Sequence, residues 1–228
     1  MKICAISPFV NTDAMEILKF LQGRSDDLIL LPGARNDFSE PKEIQKILQP
    51  GVHIFIENGL KKFINFPQKS TGIMRNEWAI PYVITDRTIR QLPKQVFSNH
   101  PKPRDIDEWI NILPDRIFSI ANKNIIFILC GELIAFNPDG TLKHRKRLPQ
   151  LQKIDIIANP AHSVMGHWNW LGDKFVSLSK GRICLYTANN NKNNSTITTD
   201  VRIYRDGNLL PLENRMHQNG LTWIEIDY

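Results

Sequence analysis

The chain reads as an α/β protein: two β-rich halves that form two sheets facing each other, with helices on the outside. Three observations predict this. Short apolar runs rich in Ile, Leu and Val alternate with stretches whose apolar residues fall at helical spacing. The runs stop at turn residues, as in "DLILLPG" and "IDIIANPA". The second half of the chain repeats the style of the first without repeating its sequence. With 228 residues the chain can bury a core of its own, and it is taken as one domain, 1–228.

In order, "KICAIS" (2–7) predicts a first strand, and "NTDAMEILKFLQ" predicts a helix capped by Asn11 or Thr12. "DLILLPG" (27–33) is a buried strand stopped by Pro32 and Gly33. "EPKEIQKILQPG" reads as a helix with Pro41 in its first turn and Pro50-Gly51 beyond its end. "VHIFIENG" (52–59) is a strand, and "EWAIPYVITDRTIRQLPK" (77–94) a strand, a turn near Asp86-Arg87 and a returning strand. "DIDEWINILPDR" is helical up to about Pro114, and "RIFSI" and "NIIFILC" make a strand pair. "IDIIANPA" (154–161) is a strand and "GHWNWLGDKFVSLSK" a helix. "RICLYTANN" (182–190) is a strand, "TTDVRIYRDGNLL" a hairpin turning at Asp206-Gly207, and "LTWIEIDY" the closing strand. The polar tract "ANNNKNNSTITT" is a loop. "GELIAFNPDGTLKHR" has a reading of its own, a β-hairpin around Pro138-Asp139-Gly140.

Composition removes several function classes. No apolar run approaches the ~20 residues that span a bilayer, so no membrane partner is expected. The start, "MKICAISPFV", lacks the h-region of a signal peptide. Cys4, Cys130 and Cys184 leave an odd thiol under any pairing, which favours a reducing, cytoplasmic setting. The net charge of +6 comes from scattered basic residues and one cluster, Lys143 to Lys153. No aromatic residue interleaves there, so no nucleic-acid partner is expected. No Cys/His spacing suits zinc and no Gly-rich loop suits a phosphate, so neither metal nor cofactor is expected.

The order of strand endings resembles the carbon–nitrogen hydrolases of the nitrilase superfamily. The likeness runs along nearly the whole chain. "MKICAIS", a helix and "DLILLPG" look like the family opening, and "RTIRQLPKQVF" is similar to the strand that leads into a lysine. "RIFSIANKNIIFILCGEL" resembles the nucleophile segment, and "IDIIANPA", "GRICLYTANNN", "VRIYRDGNLL" and "LTWIEIDY" resemble the segments that follow. The resemblance implies a four-layer α-β-β-α sandwich, often dimerised through its helices, with a Glu-Lys-Cys triad. Cys130 matches the nucleophile and Lys94 the lysine. The base position, directly after Pro32, holds Gly33, which has no group to accept a thiol proton. Among relatives a Gly-Glu pair often follows the lysine; "QVFSNHPKPRD" lacks it.

Taken alone, a cysteine after an apolar strand reads as core filler, since free Cys packs as a small hydrophobe; the resemblance places Cys130 as a nucleophile. The Gly131 N–H beside it could help hold an oxyanion. Lys94 would favour the thiolate by its charge. Glu132 has two readings, an acid that orients its neighbours or a plain first-turn residue, and it stands second as substitute base. Glu57 stands first: it closes "VHIFIE", whose strand should neighbour the one ending at Gly33, and ligand sites gather at strand carboxyl ends. Its other reading is a loop carboxylate. His162, His167, Trp168 and Trp170 follow the Asn159-Pro160 strand end and border the substrate pocket of the resembled fold, or pack a helix start. The function so implied is hydrolysis of a small amide or nitrile through a thioester. The alternative is a non-catalytic relative that binds a small ligand or a partner chain in the same pocket.

Overall fold

The computed structural model describes residues 1–8, 12–32, 41–59, 79–97, 100–161, 168–188 and 200–228, with backbone only at 58, 59, 79 and 168–170. Its strands are β1 (Lys2–Pro8), β2 (Leu28–Leu30), β3 (His53–Gly59), β4 (Ala79–Ile84), β5 (Ile89–Gln91), β6 (Ile117–Ile120), β7 (Lys123–Phe127), β8 (Ile156–Ala161), β9 (Ile183–Ala188), β10 (Asp200–Arg205), β11 (Asn208–Leu209), β12 (Met216–Gln218) and β13 (Leu221–Asp227). The α-helices among the described residues are α1 (Ala14–Leu21), α2 (Pro41–Gln45), α3 (Pro103–Ile112) and α4 (Trp168–Leu178). None is long and apolar enough to cross a membrane.

One sheet has the order β12-β13-β1-β2-β3-β4-β5 and the other β11-β10-β9-β8-β7-β6. β1, β2 and β3 run parallel, as do β7, β8 and β9, with antiparallel strands on either side. Side chains alternate across each strand, and both faces of the central strands are apolar, as expected of strands covered on both sides. Ile3, Ala5, Leu28, Leu30 and Phe55 point inward from the first sheet and meet Ile125, Phe127, Ile156, Ala158, Ile183 and Leu185 from the second. The other face of the first sheet, Cys4, Ile6, Ile29, Ile54 and Ile56, packs under Ile17 and Leu21 of α1 and Ile44 of α2. The outer face of the second sheet, Ile126, Ile157, Cys184 and Tyr186, packs under Ile106 and Trp109 of α3 and Leu171 and Phe175 of α4. The result is the four-layer α-β-β-α sandwich. Each fully buried Ile, Leu or Phe stabilises it by roughly 1.5–3 kcal/mol relative to exposure.

Contacts at both ends of the sandwich set the direction of the parallel strands. At the start of β1, the Met1 carbonyl accepts the Tyr228 N–H at 2.9 Å, and Lys123, which begins β7, lies over the Tyr228 ring at 4.2 Å. At its far end, the Ser7 hydroxyl donates to the carbonyl of Ala188, which ends β9. The six parallel strands therefore carry their carboxyl ends to the same end of the sandwich.

Several elements differ in detail from the sequence reading. The cap of α1 is Asp13, whose carboxylate accepts the Met15 N–H at 2.9 Å. The Thr12 hydroxyl donates instead to Gly220, and Asn11 lies outside the described residues. With the Thr12 hydroxyl engaged at Gly220, the cap falls to Asp13. α2 begins at Pro41 as expected but ends at Gln45, well before Pro50. β7 ends at Phe127, and Cys130 opens a 3-10 turn that runs to Ala135. The segment after Cys130 is only partly the expected hairpin: the 3-10 turn takes its first residues, and a single antiparallel bridge, Phe136 to Leu142, closes around Pro138-Asp139-Gly140. β12 had no sequence signal. Its three residues are exposed and lack an apolar alternation. The Asp206-Gly207 turn stands as read, with both residues at positive φ (50° and 81°), the backbone that a two-residue hairpin requires.

Candidate active site

Cys130 sits just beyond the carboxyl end of β7. Ile128 extends the ladder by donating to Ala158 at 3.0 Å, and the buried Asn159 side chain donates to the Ile128 carbonyl. The chain then folds back, with the Glu132 N–H on the Leu129 carbonyl at 2.9 Å. Cys130 and Gly131 thus occupy the first turn of a 3-10 helix, where amides have no partner within the helix itself. Cys130 is 9% exposed, whereas Cys4 and Cys184 are wholly buried inside strands.

Lys94 lies in the extended segment that continues β5, after Leu92 has donated to Pro81 at 2.8 Å. It is half-buried. Two side chains tie this segment to the Cys130 turn. Arg116, between α3 and β6, donates through Nε to the Pro93 carbonyl at 3.0 Å and through Nη2 to the Lys94 carbonyl. Its Nη1 donates to Glu132 Oε2 at 2.6 Å. Glu132 Oε2 also accepts the Leu129 N–H at 3.0 Å, and Oε1 accepts the Val96 N–H at 3.0 Å. Both side chains have 0% exposure. Glu132 thus accepts from two main-chain N–H groups and from the Arg116 guanidinium. Arg116 was missed. Nothing in "LPDRIFSI" separates it from a surface arginine before a strand.

Glu57 is 1% exposed. It lies two residues past Phe55 and shares that residue's inward face, while Ile54 and Ile56 face the helices. The Phe55 ring stacks on Phe127 across the interface, centroids 4.1 Å apart. At about 3.3 Å rise per residue, Glu57 stands about 7 Å and Cys130 about 10 Å beyond those rings, towards the same end of the sandwich. The neighbouring strand β2 continues its ladder through the Leu31 N–H to the Phe55 carbonyl at 3.0 Å, which brings Pro32 level with Glu57. Gly33, His162 and His167 lie outside the described residues, as do the side chains of Trp168 and Trp170 in α4.

A second residue without a sequence signal is Lys174, on the inward side of α4. It is 3% exposed, and its ammonium donates to the Leu133 carbonyl in the Cys130 turn at 3.1 Å. Burial pushes it down to about 8, and the charge of Lys143 acts in the same direction.

The sequence matches no family model and no curated protein. Among solved structures, the chain is similar to an amidase from Nesterenkonia sp. AN1. A doubly substituted variant of that amidase in complex with acrylamide has a TM-score of 0.55 at 11% identity, covering 100% of this chain and 90% of that one. Another variant shows covalent addition of the acetamide moiety of fluoroacetamide at the active-site cysteine; its TM-score is 0.54 at 10% identity, over 99% and 90% of the two chains. A CN-hydrolase superfamily protein from Xanthomonas campestris, with an arsenic adduct in its active site, gives 0.54 at 11% identity over 100% and 90%. At such identity the likeness is one of fold, the nitrilase-type sandwich carried over the full chain.

Proposed function

We propose that the chain is a carbon–nitrogen hydrolase-like protein in which Cys130 attacks the carbon of a small amide or nitrile. One observation carries the reading: the Cys130 turn, the Lys94 segment and the inward-facing Glu57 gather at one end of the sandwich, beyond the strand carboxyl ends. In this reading Gly33 stands where the family's base would be, and Glu57, on the adjacent strand, takes the thiol proton in its place. The thiolate adds to an amide carbon while Lys94 and the Gly131 N–H hold the developing oxyanion. The proton passes to the leaving amine, the C–N bond breaks, and a thioester forms. Water then cleaves the thioester to a carboxylic acid and restores the thiol. His162 and Trp168, which follow β8, would border the substrate. The Nesterenkonia structure with an acetamide adduct on its cysteine is a chemical parallel.

The test is acyl-enzyme formation, read by intact mass after exposure to a panel of small amides and nitriles. A thioester adduct on the parent chain is expected, absent from Cys130→Ala. Glu57→Gln should form it on the order of 10²–10⁴-fold more slowly, the usual cost of losing a general base. Gly33→Glu should form it faster than the parent. A folded Gly33→Glu variant that forms no adduct with any member of the panel would overturn the proposal.

A further inference from the structure

We infer that Arg116 is a positioning residue: through its buried pair with Glu132 it holds the Lys94 main chain against the Cys130 turn, and so aims the lysine. The inference deepens the proposed function and rests on it.

Arg116 and Glu132 engage the main chain on both sides of Lys94. Arg116 takes the carbonyls of Pro93 and Lys94, and Glu132 takes the N–H of Val96. The same carboxylate holds the Leu129 N–H, one residue before Cys130. With the peptide groups at 93, 94 and 96 pinned, the direction in which the Lys94 side chain leaves the backbone is set. Removing two charges from water is costly, and apolar replacements for a buried ion pair are often as stable or more so. What this pair supplies beyond stability is geometry. A planar guanidinium can present separate N–H groups to two successive carbonyls and a carboxylate; a lysine ammonium, a compact point charge, cannot.

The experiment is the pH dependence of Cys130 alkylation by iodoacetamide, mapped by peptide mass on the full chain. The proteins compared are the parent, Lys94→Met, Arg116→Lys and the double variant. Lys94→Met is expected to raise the alkylation midpoint by on the order of one pH unit, since a neighbouring cation favours the thiolate. Arg116→Lys keeps the charge and loses the fork, so it should raise the midpoint in the same direction. The double variant should shift no further than Lys94→Met alone. A parental profile in folded Arg116→Lys, beside a shifted Lys94→Met, overturns the positioning role and leaves the proposed function standing. An unshifted Lys94→Met removes Lys94 from the site, and the inference falls with that assignment. Should Arg116→Lys not fold, Glu132→Gln is read in its place. Leaving Arg116 unbalanced would by charge alone lower the midpoint, whereas a displaced Lys94 raises it, so a fall overturns the inference. Loss of fold in both variants also overturns it, since the pair is then structural.

Discussion

Cys4 in β1 and Cys184 in β9 lie on the outer faces of their sheets, and burial pushes both thiols up. Cys130 sits past the end of its strand, at the edge of the core. Alkylation of the native protein should therefore modify Cys130, with Cys4 and Cys184 reacting only in denaturant; native modification of Cys4 in peptide maps would contradict this. Lys174 leads to a second expectation at this scale. Its ammonium is held down to about 8 in the fold, against 10.5 when free. Between those values the unfolded chain binds more protons than the folded one, so stability rises with pH across the window. Below about pH 8 the cost of burying the charge is present in full. Urea unfolding of the parent should gain on the order of 1–3 kcal/mol from about pH 8 to about pH 10, relative to the same span for Lys174→Met. Equal pH slopes in the two proteins would refute it.

Among the elements, the basic segment from Lys143 to Lys153 folds as two short 3-10 turns laid along the surface. Leu142 and Leu148 are buried beneath it, Lys146 pairs with Asp107 of α3 at 2.6 Å, and the His144 ring lies 3.0 Å from the Pro101 carbonyl oxygen. Its cations fall in and between the two turns, with no aromatic residue among them for bases to stack on. Oligonucleotide binding by fluorescence anisotropy should accordingly be weak, indifferent to base sequence and lost between low and physiological salt. Selective binding that survives physiological salt would show a nucleic-acid surface. The elements the sequence reading placed best are the apolar runs bounded by turn residues, such as β1, β3, β8 and β9. It erred where several local patterns compete: Asn11, Thr12 and Asp13 are all capping residues, and only the packing of Thr12 on Gly220 leaves the cap to Asp13.

For the whole molecule, the sequence by itself determined the alternation of strands and helices, their order, and the position of Cys130 at the end of an apolar run. Those features are local. A run apolar on both faces must be covered on both sides, and that requirement is written in consecutive residues. The tertiary structure decided the rest of the site. Whether Glu57 faces the partner sheet or the helices depends on a register with a period of two, and the Phe55–Phe127 stack resolves it. That Glu132 meets the Arg116 guanidinium and the Val96 N–H depends on partners 16 and 36 residues distant along the chain. A buried charge must find its hydrogen bonds wherever the fold brings donors and acceptors, and no neighbouring residue records where that will be.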